Sequence, residues 1–358
     1  MDQPQRILVR GPNWTGDLIM ATPAFRALRA GFPQAHITVH LREALRPLLD
    51  GAPWFDALRP LGDSARSGLG FAREAAALRA AGRFDLGLCL PDSFSAALLM
   101  RAAGVRQVVG YRRGGRRLLL HRAVAPPPGA GRRMWIARER HVLGLLAALG
   151  VPARGTHLEL FTTSAEEREA AARLGEADPR PIVLLAPGAS YGPSKLWPAG
   201  SFAAVGDALA AAGARVALIG TPAERGLTAR VGEAMWAPAL DLAGAISLGA
   251  LKAVVRRARL LVCNDAGARH VAVAFGVPSV VLMGPTALEK TDMNLERVVV
   301  LSTDVDCRPC YRRRCPIDHR CMTRIAPDEV TAAALPALAA DAAQRWRGGR
   351  VVAGGWAA

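Results

Sequence analysis

Lysine is nearly missing from this chain. Of its 46 basic residues only Lys195, Lys252 and Lys290 are lysine, and all others are arginine. Aromatic residues are scarce at 5%, which leaves few rings for stacking on bases. No RRM, KH or helix-turn-helix pattern is legible either. A nucleic-acid-binding protein, which the net charge of +16 would invite, therefore has little behind it, and the expectation is no nucleic-acid partner. No apolar run reaches the roughly 18–20 residues that span a bilayer. The first residues, Met-Asp-Gln-Pro-Gln-Arg, run straight into an apolar stretch, so no secretory leader is expected. A cytoplasmic chain is the reading.

A length of 358 residues suits about two domains, and 51% hydrophobic residues suffice for packed cores. Apolar runs at Ile7–Arg10, His36–Leu41, Asp85–Leu90 and Gln107–Gly110 alternate with helical patterns such as Gly70–Ala81 and Ser93–Ala103. A proline-rich loop at Ala125–Gly131 precedes a helix predicted over Met134–Leu149. Strand–helix alternation argues for a parallel sheet covered on both faces. Beyond Phe161 a helix with a serine cap and an acidic first turn is predicted. The alternation then restarts with "PIVLLAPGAS", "ARVALIG", "RLLVCND" and "PSVVLMGP". The expected organisation is two Rossmann-like domains, 1–160 and 161–335. A C-terminal segment, 336–358, would hold the end of a helix predicted over Pro327–Arg347 and a frayed tail.

The positive charge is concentrated. Residues 101–140 hold eleven arginines against a single acidic residue, Glu139. Such a block attracts polyanions, whether nucleic acid, an anionic membrane surface or a phosphorylated lipid. An arginine-rich solvated surface is the plainer alternative.

Chemistry is carried at the strand ends. In "ILVRGPNWTGDLIMATPAFRALR" a strand, a turn and a helix succeed one another as in a mononucleotide fold. Yet Asp17 stands at the helix mouth, where a carboxylate repels phosphate, and the stretch has neither a P-loop nor Gly-x-Gly-x-x-Gly. "PGASYGPSKLWP" supplies Gly188 and Gly192 for close backbone approach. There Ser190, Ser194 and Lys195 are candidates to hold phosphate oxygens, and a lysine in an arginine-writing chain suggests a need for a compact ammonium. In "LIGTPAERG" Glu224 suits either a ribose diol or the first turn of a helix. In "NDAGARHVAVAFGVPSVVLMGP" Asp265 is a candidate helix cap. The amides of Ala266, Gly267 and Ala268 form a candidate anion site, and His270 a candidate donor beside it.

Together, "GPNWTGDLIMATPA", "PGASYGPSKLWP" and "NDAGARHVAVAFGVPSVVLMGPT" resemble the ADP-heptose:lipopolysaccharide heptosyltransferases, glycosyltransferase family 9. The resemblance runs over nearly the whole chain, and "PNWTGD" is similar to the type II enzymes, which add the second inner-core heptose. It implies an α/β GT-B fold, two Rossmann-like domains whose parallel sheets face a shared cleft, with the acceptor on the first and the nucleotide sugar on the second. It implies inverting transfer by single displacement with no cofactor required for catalysis. Asp17 would be the base, and Lys195 the cation on the diphosphate of ADP-heptose. Ser190 would be the phosphate-loop hydroxyl, Glu224 the nucleoside contact, and Asp265 the contact to the heptose hydroxyls. The chain departs from the common pattern at Ala266, which lacks a hydroxyl, and at Arg269, where an apolar or small residue is often found. The implied acceptor is a heptosyl-Kdo-lipid A core. Arg112, Arg113, Arg116, Arg117, Arg132 and Arg133 are then expected to meet its phosphates or the anionic inner face of the inner membrane, a peripheral location. A member of the family using another nucleotide sugar or acceptor is the alternative reading.

"CRPCYRRRCPIDHRCM" holds Cys307, Cys310, Cys315, Cys321 and His319. Density of this kind suits a structural zinc or an iron–sulfur site, with reduced thiols and disulfides as alternatives. Cys89 and Cys263 lie in apolar runs and are expected in the core.

Overall fold

A computed structural model of the chain describes residues 3–62, 68–128, 136–175, 178–339 and 351–353. It divides into two compact units, residues 1–161 with 289–293, and residues 162–288 with 294–358.

In the first unit the strands are β1 (Arg6–Arg10), β2 (His36–Arg42), β3 (Ala57–Leu61), β4 (Leu86–Cys89), β5 (Gln107–Tyr111) and β6 (Arg122–Val124). The helices are α1 (Thr15–Ile19), α2 (Thr22–Gly31), α3 (Gly68–Ala80), α4 (Phe94–Ala102) and α5 (Arg138–Ala147). The strands lie in the order β3-β2-β1-β4-β5-β6, every neighbouring pair parallel. Register places Ile7 of β1 between Ile37 and Leu86. The central strands are buried on both faces because helices cover both, which is why they read as unbroken apolar runs. α2 buries Phe25, Ala27 and Leu28 on one side, and Pro23 presets the backbone of its first turn. The predicted helix from Met134 begins at Arg138; residue 134 lies outside the described residues.

The second unit repeats the plan. Its strands are β7 (Ile182–Ala186), β8 (Arg215–Leu218), β9 (Leu240–Asp241), β10 (Leu260–Asn264), β11 (Ser279–Leu282), β12 (Val298–Ser302) and β13 (Val351–Ala353). Its helices are α6 (Ser164–Leu174), α7 (Ala199–Ala211), α8 (Arg225–Ala234), α9 (Leu248–Arg256), α10 (Gly267–Ala274), α11 (Arg320–Thr323) and α12 (Pro327–Ala339). The order is β13-β12-β11-β10-β7-β8-β9, so both sheets reverse direction beside their first strand. That reversal, between β1 and β4 and between β7 and β10, is where open α/β sheets bind ligands.

Two expectations are corrected. α6 is capped by Thr163 rather than Ser164. The Thr163 hydroxyl accepts from the Glu166 amide while the Glu166 carboxylate accepts from the Thr163 amide. The end of the chain is not simply a frayed tail, because Val351–Ala353 pair in parallel with Val300–Ser302; two adjacent valines suit a strand. The predicted continuation of α12 to Arg347 falls outside the described residues. Among the described residues no helix is long and apolar enough to cross a membrane.

Candidate active site

In the first unit the site is built on the ends of β1 and β4. Arg10, last residue of β1, turns its guanidinium inward and donates to the carbonyls of Gly11 and His40 and to Asn13 Oδ1. This staples the Gly11–Asn13 turn to the sheet. Burial pulls the Arg10 pKa down to about 10, which still leaves the group charged at neutral pH. The turn delivers Asp17 to the first turn of α1, two residues after Thr15. Asp17 is not a cap; the cap residue is Trp14, whose side chain makes no capping bond and is half exposed. The partner of Asp17 is Arg138 at the start of α5, with Nε 3.3 Å from Oδ1.

Beyond β4 lies a second carboxylate, Asp92, which no sequence argument singled out. Its Oδ1 accepts from Arg116 Nη2 at 2.9 Å, and its Oδ2 lies 3.4 Å from His141 Nε2 and 3.6 Å from Arg113 Nε. Burial tends to raise the Asp92 carboxyl. The nearby His141 and the Arg116 and Arg138 guanidiniums prevail and hold it below the usual carboxylate range. The signal that could have found it is positional, since "PDS" directly follows a buried strand.

This network corrects part of the basic-block expectation. Arg116 is 0% exposed; besides Asp92 it donates to the carbonyls of Tyr111 and Pro91. A buried guanidinium must be satisfied internally, so Arg116 faces neither acceptor nor membrane. Arg113 is partly buried against Asp92. Arg112 and Arg117 are exposed, and between Arg117 and Leu119 the side chain of Leu118 is 94% exposed. Arg132 and Arg133 lie outside the described residues.

In the second unit the site is built on the ends of β7, β8 and β10. Asn264, at the end of β10, donates to the Pro187 carbonyl at 2.7 Å and accepts from the Trp197 amide at 3.2 Å, tying the loop after β7 to the neighbouring strand. In that loop Lys195 Nζ donates to the Asp265 carboxylate at 2.6 Å and to the Asp265 carbonyl at 2.8 Å. The same carboxylate accepts from Thr286 Oγ1 at 2.7 Å and lies 3.5 Å from Arg269 Nη1. Burial tends to raise the Asp265 carboxyl, but Lys195, Arg269 and the two hydrogen bonds hold it far below the usual range. The unusual Arg269 thus answers the charge of Asp265. Asp265 does not cap α10: the cap position is Ala266, without a side-chain bond. Ala266, Gly267 and Ala268 are partly exposed at the helix start. His270 is 6% exposed, and burial followed by the Arg269 charge pulls it down to about 3, so its ring is neutral at neutral pH.

Glu224 accepts from the amide and hydroxyl of Thr221, and its carboxylate lies against Gly188. A Cβ at Gly188 would fall 2.1 Å from Glu224 Oε1, so glycine is required for this approach. Ser190 is exposed in the same loop. Ser194 is corrected from phosphate ligand to structural support. It is 2% exposed and its hydroxyl donates to the Arg312 carbonyl at 2.5 Å, so that proton is not available to a phosphate.

The cysteine-rich segment packs beside this loop. Cys307, Cys310, Cys315 and Cys321, with Ser194 and His319, line a cavity of about 160 Å³. The cysteines are free thiols, not disulfides. The expected metal site is not met, since among the described residues no group of three or more His, Cys, Asp or Glu is disposed to hold a metal ion. The side chains have other partners: Cys321 packs into the hydrophobic core, Cys315 Sγ accepts from the His319 amide, and the His319 ring turns to the Ser194 carbonyl. Burial and the neighbouring thiols push Cys321 up to about 11, so as a free thiol it is protonated at neutral pH. Cys89 and Cys263 are buried as expected.

Residues 73–320 match the profile of Glycosyltransferase family 9 (heptosyltransferase). Lipopolysaccharide heptosyltransferase 2 of Escherichia coli K12 is 30% identical over 297 residues, 80% of this chain and 84% of that protein. The structure of E. coli ADP-heptose lps heptosyltransferase II superposes with a TM-score of 0.77 at 26% identity, covering 93% of this chain and 98% of that one. A family 9 glycosyltransferase of Veillonella parvula superposes with a TM-score of 0.81 at 24% identity, covering 93% and 97%, a likeness of fold. The chain therefore belongs to glycosyltransferase family 9, the heptosyltransferases.

Proposed function

We propose that this protein transfers L-glycero-D-manno-heptose from ADP-heptose, with inversion, to a heptosyl-Kdo-lipid A acceptor. The observation that carries the donor side is the Lys195–Asp265 pair. A buried carboxylate that already balances one ammonium leaves that ammonium fixed in place, with its remaining donor capacity for the leaving diphosphate. Glu224 against Gly188 lies one strand away, the position in which an acidic side chain takes a ribose diol. The partly exposed amides that open α10 supply a second diphosphate contact.

On the acceptor side Asp17 takes the proton from the attacking hydroxyl. The acceptor oxygen bonds to the anomeric carbon from the face opposite the nucleotide. The bond from that carbon to the diphosphate breaks, and its electron pair leaves with ADP. Arg138 holds Asp17 in orientation. No step requires a resident cofactor. Exposed Arg112 and Arg117 around exposed Leu118 suit a phosphorylated lipid acceptor and an anionic membrane face, with the leucine able to enter the headgroup boundary.

The test is turnover on a heptosyl-Kdo-lipid acceptor with ADP-heptose, against UDP- and GDP-sugars. Preference for ADP-heptose is expected; equal or faster transfer from another nucleotide sugar would overturn the donor assignment.

A further inference from the structure

The loop that carries Lys195 is hydrogen-bonded to the cysteine-rich segment at several points. Tyr191 Oη donates to the Tyr311 carbonyl at 2.5 Å. The Ser194 amide donates to the Arg313 carbonyl at 3.1 Å, and the Ser194 hydroxyl to the Arg312 carbonyl at 2.5 Å. His319 Nε2 donates to the Ser194 carbonyl at 2.7 Å. The acceptor is a carbonyl, which fixes the proton on Nε2. Gly192 completes the fit, since a Cβ there would stand 2.6 Å from the Arg313 carbonyl oxygen. Ser194 is thus bonded through its amide, hydroxyl and carbonyl to one segment, and the next residue is Lys195.

The segment is itself braced. The Tyr311 amide donates to the Pro285 carbonyl, and Tyr311 Oη accepts from the Ala287 amide. These two bonds lead back to Thr286, whose hydroxyl holds Asp265. His319 adopts a left-handed conformation, φ 60°, with its amide donating to Cys315 Sγ at 3.3 Å. A residue kept in that conformation is over-determined by its surroundings.

We infer that the cysteine-rich segment is the platform that sets the donor loop, and that His319 is a positioning residue acting on donor binding through Ser194 and Lys195. This deepens the reading of Lys195 as the donor-diphosphate contact and rests on it. An orientation held by one part-buried hydrogen bond predicts a loss in ADP affinity of about 2- to 13-fold in His319→Ala. His319→Gln keeps an N–H donor and restores most of it. The KM for ADP-heptose should rise in the same ratio while the acceptor KM stays constant, a split that general destabilisation would not produce. Because the loop and the segment share these bonds, ADP bound at the loop should steady the segment, so saturating ADP should slow alkylation of its cysteines in wild-type protein.

Calorimetry of ADP on wild type, His319→Ala and His319→Gln is the test, with peptide-mapped maleimide labelling of wild type with and without ADP. Weakened binding in Ala, recovery in Gln and ADP protection of the thiols support the inference. Wild-type affinity in His319→Ala, or labelling indifferent to bound ADP, would overturn it alone. Wild-type protein that binds no ADP would overturn the donor reading and the inference with it. Should His319→Ala fail to fold, the labelling of wild type decides.

Discussion

Replacing Lys195 by alanine tests the centre of the donor site from two directions. Lys195 supplies two of the contacts around Asp265, at 2.6 and 2.8 Å. Removing one partner of a buried ion pair leaves the other charge uncompensated and costs about 3–5 kcal/mol. Here Thr286 at 2.7 Å and Arg269 at 3.5 Å stay on the same carboxylate, so the loss should fall at or below the low end, about 2–3 kcal/mol. Asp265→Asn alone leaves Lys195 and Arg269 without their anion, and a comparable loss is expected. Lys195→Ala with Asp265→Asn should be less destabilised than the sum of the two by about 1–3 kcal/mol.

The pH dependence has a definite sign. Asp265 is held far below its usual range, so its contribution is fully present above the unfolded carboxyl pKa of about 3.9 and is lost progressively below that, as pH falls through the depressed folded value. Without Lys195 the carboxyl rises and takes up a proton sooner, escaping the cost of an unpaired charge. The stability gap between wild type and Lys195→Ala should therefore be widest near neutrality and narrow below about pH 4. Urea denaturation of the four proteins of the cycle at several pH values measures both effects. ADP affinity should fall about tenfold, the low end for a charge-assisted contact, because Asp265 already cancels part of the ammonium's field. Additive stabilities within about 0.5 kcal/mol, or a gap that widens on acidification, would refute the reasoning.

Four further outcomes are expected. Asp17→Asn should retain fold and ADP affinity yet lose about 10²- to 10⁴-fold in turnover; near-normal turnover would remove Asp17 as the base. Arg112→Gln with Arg117→Gln should raise the acceptor KM about five- to thirtyfold at low salt, less at high salt, with donor KM unchanged. Arg116→Gln, by contrast, should lower stability by about 3–5 kcal/mol because it strips Asp92 of its buried partner; similar behaviour of Arg116 and Arg117 variants in both assays would contradict the separation drawn between them. With maleimide at pH 7.5, Cys307, Cys310 and Cys315 should react well before Cys321, Cys89 and Cys263. Burial pushes these last three up to about 11, 11 and 12 and leaves almost no thiolate to attack.

What the sequence made legible divides along physical lines. Period and backbone chemistry act locally, so two rounds of alternating strands and helices could be read directly, and so could Asp17, Lys195 and Asp265 at strand ends. A side chain's partner depends on which strands become neighbours, and that is decided over long separations. Lys195 and Asp265 are 70 residues apart and meet only because β7 and β10 adjoin. Arg116 shows the same limit in reverse. In the sequence it is one of four arginines flanking two glycines, indistinguishable in type from Arg117. The fold turns Arg116 under the β5–β6 connection onto Asp92 and leaves Arg117 in water. Charge density in a segment is thus a property of composition, whereas the charge offered to a partner is what remains after the fold has satisfied its own carboxylates. The cysteine segment illustrates the point for chemistry. Its spacing suits a metal, but spacing fixes only how far apart the sulfurs can be, not where they point. Here Cys321 belongs to the hydrophobic core, and His319, the other potential ligand, is committed to the Ser194 carbonyl. A motif that reads as a ligand set is, in this fold, hydrogen-bonded to the neighbouring loop. The same reasoning explains why Ser194, a plausible phosphate ligand by composition, became the joint between the two: a hydroxyl 2% exposed bonds to the carbonyl nearest it rather than to a ligand from solvent.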